Sequence, residues 1–358
     1  MPGRDPGSGT LRDRAGRLGV SPALVSVLLP CRDAAPWLDE CLDSLFAQTL
    51  RDFEVIAVDD GSRDGTRALL ERRARAESRL TVLDSRGAGL VPALNLAAAA
   101  ARGTLLARMD ADDICSPERL AAQRDHMEQN PDIAACGTGI RLFPQHGIGP
   151  GYRRYEAWLN SLSSAQELNA DLFVECPIAH PSLMIRRSVL HGLGGYRDAG
   201  WPEDYDLLLR LHAVGMRAVN LPRALLHWRV RSDRHSLRSE RYSAAAFRRC
   251  KVHFLEASFL SPGRPIVVWG AGKVGKPLAR ELIRQGMPVT AFVDLDPRKL
   301  GQEVHGAPVL SPAGFAGTIS EADPYVLAAV GSAGAREDIR NALRDMGRRE
   351  LLDFRMCA

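Results

Sequence analysis

Residues 53–62, FEVIAVDDGS, place a mostly apolar run directly before two aspartates, a glycine and a serine. Phe, Val and Ile favour a buried strand, and the polar residues that follow are typical of a turn. The neighbouring chain continues the pattern, because VSVLL at 25–29 predicts an earlier strand and helices are predicted over 36–48 and 66–76. Strands that alternate with helices of about 10–15 residues predict βαβ units, and hence an α/β fold with a mainly parallel sheet.

Two further strands extend this unit. They are predicted at 80–83 and 104–107, on either side of an alanine-rich helix. Ser116, an N-cap residue before a proline, predicts the start of another helix, which ends at Asn130 because a proline follows. The regular alternation fades after about residue 140, where Pro, Gly, His and aromatic residues predict loops.

Domain boundaries follow from changes in composition. Residues 1–22 are rich in Gly, Pro, Arg and Asp with few apolar side chains, which predicts a flexible tail. The sequence SPGRP at 261–265 predicts a linker, and a second α/β pattern begins directly after it. Because 358 residues exceed one hydrophobic core of typical size, we predict a first domain over 23–262 and a second, smaller one over 263–358.

Composition excludes several classes of protein. Hydrophobic residues make up 45% of the chain and charged residues 25%, which is typical of soluble globular proteins and not of disordered, collagen-like or coiled-coil chains. No segment approaches the roughly 18 apolar residues of a membrane span, and the N-terminus lacks the apolar region of a secretory signal. Seven cysteines without a C-x-x-C pair indicate a reducing compartment. We therefore expect a cytoplasmic protein, and a net charge of +4 is too small to predict nucleic-acid binding.

Two acidic clusters follow strands of the first domain. Asp59 and Asp60 come after the second strand, whereas Asp110, Asp112 and Asp113 come after the fourth. Either cluster alone is compatible with an ordinary turn or a helix cap, but we expect the two clusters to lie on neighbouring βα turns of one sheet. Ligands of open α/β sheets bind at the carboxyl ends of strands. Carboxylates that converge there repel one another unless a cation neutralises them. A divalent ion shared with substrate phosphates is the common solution.

Four segments in the same order resemble glycosyltransferase family 2, the inverting sugar transferases of the GT-A fold. They are VSVLLPCRDA (25–34), EVIAVDDGSRDGT (54–66), ARMDADD (107–113) and WPEDYDLLLR (201–210). The resemblance covers roughly residues 24–240. It implies a GT-A-type mixed, mainly parallel sheet flanked by helices. It also implies transfer of a sugar from a nucleoside diphosphate sugar to a glycan, lipid-linked or protein acceptor, as in polysaccharide biosynthesis.

The resemblance also assigns the donor site residue by residue. Pro30, Arg32 and Asp33 are expected to line the nucleotide pocket. Asp60 is expected to accept a hydrogen bond from uracil N3–H, which favours a UDP-linked donor. The family often carries a basic residue in the segment before its D-x-D motif, whereas this chain is apolar at 89–93 and has Arg86 as the nearest candidate.

The metal site follows from the same resemblance. Asp110 and Asp112 match the D-x-D motif, with Asp110 facing the ribose or donor sugar and Asp112 ligating Mn²⁺ or Mg²⁺ on the diphosphate. Asp113 is expected to help start the next helix. His235 is either a further ligand of the metal, a contact of the diphosphate, or a solvated histidine in a basic loop.

The catalytic base is expected at the start of a predicted helix. Asp204 matches the family's base and would deprotonate the acceptor hydroxyl, while Glu203 would position the acceptor or support the base through a hydrogen bond. An acidic helix start is also favoured by the helix macrodipole alone. His180 and Tyr196 lie in segments that resemble the family on the acceptor side, and their other reading is turn chemistry.

A basic stretch extends from Arg223 to Lys251, with nine basic residues against Asp233 and Glu240. It is compatible with a solvated helix face. An anionic diphosphate, a lipid phosphate or a membrane surface would explain it better. Within it, Arg229, Arg231 and Arg234 are candidates to clamp phosphate. The stretch is also compatible with peripheral contact with the inner face of the membrane.

The second domain carries its own glycine-rich turn. Gly270, Gly272 and Gly275 fit G-x-G-x-x-G between a strand and a helix, and Asp294 ends the next strand, where a ribose-binding acid is expected. With DLDPRKLG at 294–301, this part resembles the small Rossmann-like, nucleotide-binding-type domain found ahead of sugar acyltransferases. It is expected either to bind a nucleotide or to be a scaffold that keeps the shape.

Three functions remain open from the sequence. The first is a metal-dependent inverting glycosyltransferase. The second is an NAD-dependent oxidoreductase built on the glycine-rich turn, which leaves the four acidic motifs unexplained. The third is a non-catalytic sugar-nucleotide-binding module, against which the intact carboxylates argue.

Overall fold

The computed structural model describes residues 25–231, 239–317, 323–331 and 333–358. The strands are β1 Val25–Cys31, β2 Phe53–Asp59, β3 Leu80–Asp84, β4 Leu105–Arg108, β5 Ile114–Cys115, β6 Ile133–Phe143, β7 Met184–Arg186, β8 Arg217–Arg229, β9 Ile266–Trp269, β10 Val289–Val293, β11 Glu303–Val304, β12 Ala307–Leu310, β13 Tyr325–Ala328 and β14 Phe354–Met356. The α-helices are α1 Ala35–Phe46, α2 Thr66–Ala76, α3 Leu90–Ala100, α4 Arg119–Gln129, α5 Pro150–Ser161, α6 Ala165–Asp171, α7 Arg187–Gly192, α8 Glu203–Ala213, α9 Ala244–Ser258, α10 Gly275–Arg284, α11 Pro312–Ala316 and α12 Ala333–Asp345. Short 3₁₀ turns occupy His180–Ser182 and Glu240–Tyr242.

The larger sheet has the strand order β3-β2-β1-β4-β7-β6-β8-β5. Its first four strands are parallel, and β7 is antiparallel to both β4 and β6. Val27 and Leu28 are neighbours in β1 but belong to two different apolar clusters, because alternate side chains point to opposite faces of the sheet. Helices therefore cover both faces. This confirms the predicted α/β class with a mixed, mainly parallel sheet.

The predicted elements of the first unit match closely, with two corrections. The helix predicted to start at Ser116 begins at Arg119, and the Ser116 carbonyl accepts from the Arg119 N–H while its side chain caps nothing. Asp113 consequently does not start that helix. The two acidic turns also follow β2 and β4, which are separated by β1 rather than adjacent.

The smaller sheet has the order β11-β12-β10-β9-β13-β14, and β12, β10, β9, β13 and β14 are parallel. From β9 the chain proceeds outward through β10 to β12 and then returns to the other side of β9 with β13. The strand order therefore reverses between β9 and β13. This is the position at which open α/β sheets bind ligands.

The two units are joined by buried polar contacts. Lys251 in α9 donates its Nζ to the carbonyls of Val174 (2.6 Å) and Cys357 (3.2 Å). Arg340 in α12 pairs with Asp171 at the end of α6. Burial lowers the pKa of the Lys251 ammonium, and the two carbonyls satisfy it in place of water. The smaller unit is thus packed against α6 and α9. Within the described residues, none of the helices is both long and apolar enough to cross a bilayer.

Candidate active site

A cleft of roughly 1500 Å³ opens at the carboxyl ends of β1, β2 and β4. Six of the residues predicted for the donor and metal sites line this cleft, namely Pro30, Arg32, Asp33, Asp60, Asp110 and Asp112. They come from three separate turns, which the parallel strands bring to one edge of the sheet. Arg86, the basic candidate named from the sequence, is not among the lining residues.

Asp60 forms one end of the cleft and is 4% exposed. Its Oδ1 accepts from the Ser85 hydroxyl at 2.7 Å and from the Gly89 N–H at 2.9 Å. Its Oδ2 lies 3.3 Å from Nη1 of Arg32, whose side chain is largely exposed. One carboxylate oxygen of Asp60 is thus fixed by the protein. The other faces the exposed guanidinium of Arg32, which a hydrogen-bond donor of a ligand can replace.

Asp33 connects two of the turns that form the cleft. Its Oδ1 accepts from the Arg63 N–H at 2.7 Å, and its own N–H donates to the Ser62 hydroxyl at 3.0 Å. Its φ of 48° is in the left-handed region, which aspartate tolerates better than most residues. The turn after β1 is therefore tied to the turn after β2, where Asp60 lies.

The second acidic cluster brings three carboxylates together. One ligand oxygen from each of Asp110, Asp112 and Asp113 lies within 4.8 Å of the others. Asp113 is fully buried, and its Oδ1 accepts from the Arg229 N–H at 2.8 Å. Oxygen ligands at this spacing suit a hard divalent cation. Asp110 and Asp112 are partly exposed to the cleft, so these two can share such a cation with a ligand phosphate.

Arginines from the end of β8 and beyond balance this negative charge. Arg231 Nε lies 3.0 Å from Asp112 Oδ2, and its guanidinium stacks on Trp37 at 3.8 Å from the ring centroid. Arg229 donates from Nε to the Asp112 carbonyl at 2.6 Å and also pairs with Glu40. A divalent cation at Asp112 would therefore compete with Arg231 and free its charge for a phosphate. His235 lies outside the described residues.

Arg108 is a site residue that the sequence analysis missed. It ends β4 and is 4% exposed, yet it lines the cleft with its Nη1 2.5 Å from Asp110 Oδ1. Among the described residues, its Nε has no hydrogen-bond partner. A charged side chain in an otherwise apolar strand was the available signal, because buried arginines are rare without a partner. Arg108 supplies the basic group near the D-x-D motif that Arg86 does not.

Glu203 and Asp204 begin α8 beside this arginine. Glu203 is 1% exposed, and its Oε2 accepts from the Tyr242 hydroxyl at 2.7 Å with Arg241 Nη1 3.8 Å away. Its Oε1 lies 3.6 Å from His180 Nδ1. These contacts leave Glu203 little freedom to reach a ligand, so its geometry suits positioning.

Asp204 is half-buried, and its Oδ1 accepts from the N–H of Tyr205 at 2.7 Å. Burial first, and then the charge of Glu203, raise the pKa of Asp204 to about 7. A carboxylate with a pKa near neutrality is matched to general-base chemistry.

His180 lies against Glu203, and Tyr196 lies against His180, so both residues have a structural role in the site. His180 Nε2 lies 3.1 Å from the Tyr196 hydroxyl. Burial, and then the charge of Arg108, lower the pKa of His180 well below its usual range. The ring is therefore neutral at physiological pH, and its contact with Glu203 is not an ion pair.

The predicted residues of the second unit surround another cavity, of roughly 1280 Å³, at the reversal point between β9 and β13. Gly270, Gly272 and Asp294 line it. A Cβ on Gly275 would lie 1.7 Å from the Gly270 carbonyl oxygen, so this glycine is needed for the loop to pack on α10. A Cβ on Gly272 would meet only Lys299 Nζ, at 4.0 Å, so this glycine leaves room for a ligand.

Asp294 is engaged within the protein. Its Oδ2 accepts from the Ala271 N–H at 2.8 Å and from Lys299 Nζ at 2.9 Å. Hydrogen bonds from Asp296, Lys299 and Ala271 outweigh burial and lower its pKa. Lys299 therefore compensates the charge of Asp294 at the edge of the cavity.

Comparison with known proteins places these features in a family. Residues 26–194 match the family described as glycosyl transferase family 2. The chain is 31% identical over 197 residues to the amylovoran biosynthesis glycosyltransferase AmsE of Erwinia amylovora, which covers 55% of this chain and 71% of the relative. It is 30% identical over 235 residues to the O-antigen biosynthesis glycosyltransferase WbnJ of Escherichia coli, which covers 65% and 87%.

The fold is also found among solved structures. Residues 1–349 of S. aureus TarS in complex with UDP-GlcNAc superpose with a TM-score of 0.54 at 17% identity. The match covers 73% of this chain and 72% of that one. At this level of identity the likeness concerns the fold.

Proposed function

Because this chain belongs to glycosyltransferase family 2, and is therefore a glycosyltransferase, we propose that it transfers a sugar from a nucleoside diphosphate sugar with inversion at the anomeric carbon. One observation carries the proposal. The Asp60, Asp110 and Asp112 carboxylates all line a single cleft. Arg108, which also lines it, pairs with Asp110 and acts electrostatically on Asp204. Family membership sets aside the oxidoreductase and the non-catalytic module.

Uracil is the base that we propose for Asp60. Its Oδ2, which faces only the exposed Arg32 among the contacts described above, is a hydrogen-bond acceptor, and uracil N3–H is a donor. Pro30 and Asp33 form the adjoining wall. The donor is thus proposed to be UDP-linked, with its diphosphate directed toward Asp110 and Asp112.

Asp110 and Asp112 are proposed to hold Mn²⁺ or Mg²⁺, since they offer carboxylate oxygens on the cleft side of the acidic cluster. A divalent ion there would neutralise the charge that develops on the leaving nucleoside diphosphate. Arg231 is released from Asp112 when its carboxylate binds a cation, and it remains close enough to pair with a phosphate. His235, which follows in the sequence, is proposed as a further ligand.

Asp204 is proposed as the general base. Inversion requires the acceptor hydroxyl to attack the anomeric carbon from the side opposite the diphosphate, and Asp204 would take its proton. Glu203 would hold α8 and its base in place through Tyr242 and Arg241. The Arg108 charge opposes the rise in the pKa of Asp204 caused by burial.

The acceptor is proposed to be a glycan or lipid-linked glycan of a surface polysaccharide. The relatives AmsE and WbnJ are named for the biosynthesis of amylovoran and of O-antigen, both of which are polysaccharides. The basic stretch from Arg223 to Lys251 would support peripheral contact with an anionic membrane at the cytoplasmic face.

The smaller unit is proposed to be Rossmann-like and to bind the diphosphate of a nucleotide. Gly272 leaves space in the loop that leads into α10. Lys273 and Lys299 line the same cavity. The variant Gly272→Ala should therefore fold normally but weaken nucleotide binding, and titration of NAD and UDP into the full chain with EDTA present would show it. Equal affinities in the two proteins would favour a scaffold.

The test of the main proposal is a thermal-shift and calorimetric titration of the full chain with UDP, GDP and UDP-sugars, with and without Mn²⁺. A ligand that binds only the folded state stabilises it by about 2.7 kcal/mol at a hundred times its Kd. We expect UDP to stabilise the protein more than GDP, and more in Mn²⁺ than in EDTA. Stabilisation that is equal for UDP and GDP would contradict the assignment of Asp60.

A further inference from the structure

A second cavity, which we call the junction cavity, lies where α9 meets the glycine-rich loop of the smaller unit. It measures roughly 920 Å³, and its walls include Glu175, Tyr242, Phe247, Arg248, Lys273 and Val274. Tyr242, Phe247 and Arg248 belong to the larger unit, whereas Lys273 and Val274 belong to the loop between β9 and α10. The two units therefore build this cavity together.

Glu203 contacts one residue of the donor cleft and one residue of the junction cavity. Arg241 lines the donor cleft and Tyr242 lines the junction cavity. Both contact the same Glu203 oxygen, at 3.8 Å and 2.7 Å. Glu175, on the junction-cavity wall, is also close enough to raise the pKa of Asp204. The pair that would act on the acceptor hydroxyl is thus linked through side-chain contacts to both the donor cleft and the junction cavity.

The charges of the junction cavity favour an anion. Lys251 is committed to two backbone carbonyls at its floor. Arg248 and Lys273 approach from the two units, and neither forms an ion pair or side-chain hydrogen bond with any residue in the described part of the chain. Glu175 is the carboxylate on the wall. Two cations without partners therefore face the cavity against one carboxylate.

The remaining wall is apolar. Phe247, Val274 and Leu278 supply it together with Ala244. A wall of this kind buries the apolar face of a sugar or the first part of an isoprenoid chain, whereas a free inorganic anion would gain nothing from it. The combination of two cations and an apolar wall fits a phosphate ester attached to a less polar group.

We propose that the junction cavity binds the phosphate or diphosphate ester of the acceptor, so that the acceptor hydroxyl is presented to Asp204 from the side opposite the donor. The inference rests on the proposed transferase function. It makes the smaller unit part of the acceptor site, through Lys273. A sugar phosphate and a lipid-linked sugar diphosphate share this chemistry, and the length of the apolar group distinguishes them.

The test measures binding of geranyl diphosphate and of glucose 1-phosphate to the full chain by calorimetry. EDTA is present throughout, so that no metal–diphosphate complex forms at Asp110 and Asp112. We expect at least one probe to bind the unmodified protein, and the double variant Arg248→Ala/Lys273→Ala to bind it about tenfold more weakly or worse, since each charge-assisted contact with a phosphate is strong. Binding of geranyl diphosphate alone identifies a lipid-linked acceptor, and equal binding of both probes identifies a sugar phosphate.

Matched controls separate the junction cavity from its neighbours. Lys276→Ala/Arg280→Ala removes two exposed charges from α10 and should leave probe binding unchanged. Lys299→Ala changes the cavity between β9 and β13, so a loss of binding in this variant, with Arg248→Ala silent, would overturn the proposal. Failure of both probes to bind would also overturn it.

Binding of UDP with Mn²⁺ is measured in parallel for every variant. The part of UDP binding that depends on Mn²⁺ reports the donor cleft, and if it is intact in Arg248→Ala/Lys273→Ala the variant is folded and its donor cleft is unaffected. If the unmodified protein fails to bind UDP, the transferase proposal fails. If it binds UDP and the double variant binds both probes as tightly as the unmodified protein, only the junction-cavity proposal fails.

Discussion

The replacement Asp204→Asn should have opposite effects on catalysis and on stability, so the two roles of this carboxyl group can be measured separately. Burial and the charge of Glu203 raise its pKa from 3.8 to about 7 in the folded protein. The folded state therefore holds a proton that the unfolded chain has already lost between these pH values. The contribution of the Asp204 carboxyl group to the free energy of unfolding is therefore present in full below about pH 4, and it is lost as the pH rises toward 7.

The magnitude follows from the same values. At 1.36 kcal/mol for each pH unit between 3.8 and about 7, the ionised carboxylate costs the folded state up to about 4 kcal/mol at pH 8, and less to the extent that water reaches this half-buried group. An amide of the same shape carries no charge and avoids this cost. Asp204→Asn should therefore raise the melting temperature at pH 8, with the gain shrinking toward zero near pH 4.

Activity should change in the opposite direction. Loss of a general base typically lowers the rate by about 10²–10⁴, while UDP binding should be unaffected. In the unmodified enzyme only about a tenth of Asp204 is ionised at pH 6, one unit below its pKa of about 7. Turnover at pH 6 should therefore be about tenfold below its plateau.

The assays are melting temperature from pH 4 to 8 and turnover with a UDP-sugar and an accepted glycan. Asp125→Asn is the control, because this carboxylate is 49% exposed and pairs with the neighbouring Arg124, so its removal should change stability by less than about 0.5 kcal/mol. An Asp204→Asn protein that is less stable at pH 8, or that turns over within a few-fold of the unmodified enzyme, would refute the reasoning.

Three other predictions concern the donor site, the pair and the membrane. Asp112→Ala removes one of the cleft-side carboxylates, so Mn²⁺ should no longer tighten UDP binding, and calorimetry that shows an unchanged metal dependence would contradict the assignment. Glu203→Gln removes the charge beside Asp204, so the pKa of Asp204 should fall and the acidic limb of the pH–rate profile should move to lower pH. The basic stretch from Arg223 to Lys251 should bring the protein down with anionic vesicles at low salt, each well-placed residue contributing up to about 1 kcal/mol. If sedimentation with vesicles depends on neither lipid charge nor salt, the membrane role of this stretch is excluded, and only a solvated surface or a contact with the donor phosphate would explain its charge.

The strand ends were predictable because their signals are local. Apolar runs followed by Asp and Gly placed the end of β2 within a residue, and the observed α2 has the predicted bounds. The geometry of a parallel sheet then brings Asp60 and Asp110 to the same edge whatever the loops do. Strand β1 lies between β2 and β4, but it does not separate the two acidic turns into different sites, because the end of β1 and its turn contribute Pro30 and Asp33 to the same cleft.

The supporting contacts of the site were not predictable, because they depend on packing between distant segments. Glu203 is held by Tyr242 from a short 3₁₀ turn and by His180 from another. No spacing rule connects these three residues. Arg108 gave a signal as a charge in a buried strand, but its neighbours Asp110 and Tyr196 come from two different turns, so its role depends on the tertiary structure.

The domain boundary that the sequence predicts separates residues that are in contact in the fold. A boundary at residue 262 is reasonable from composition, yet it divides Lys251 from the Cys357 carbonyl that satisfies it. It also divides Arg248 from Lys273, which face one cavity. The tight contact between Gly270 and Gly275 holds the loop that carries Lys273 in a fixed shape. Under the proposed acceptor site, α9 would supply one part of the surface that holds the acceptor phosphate, and the glycine-rich loop would supply the other.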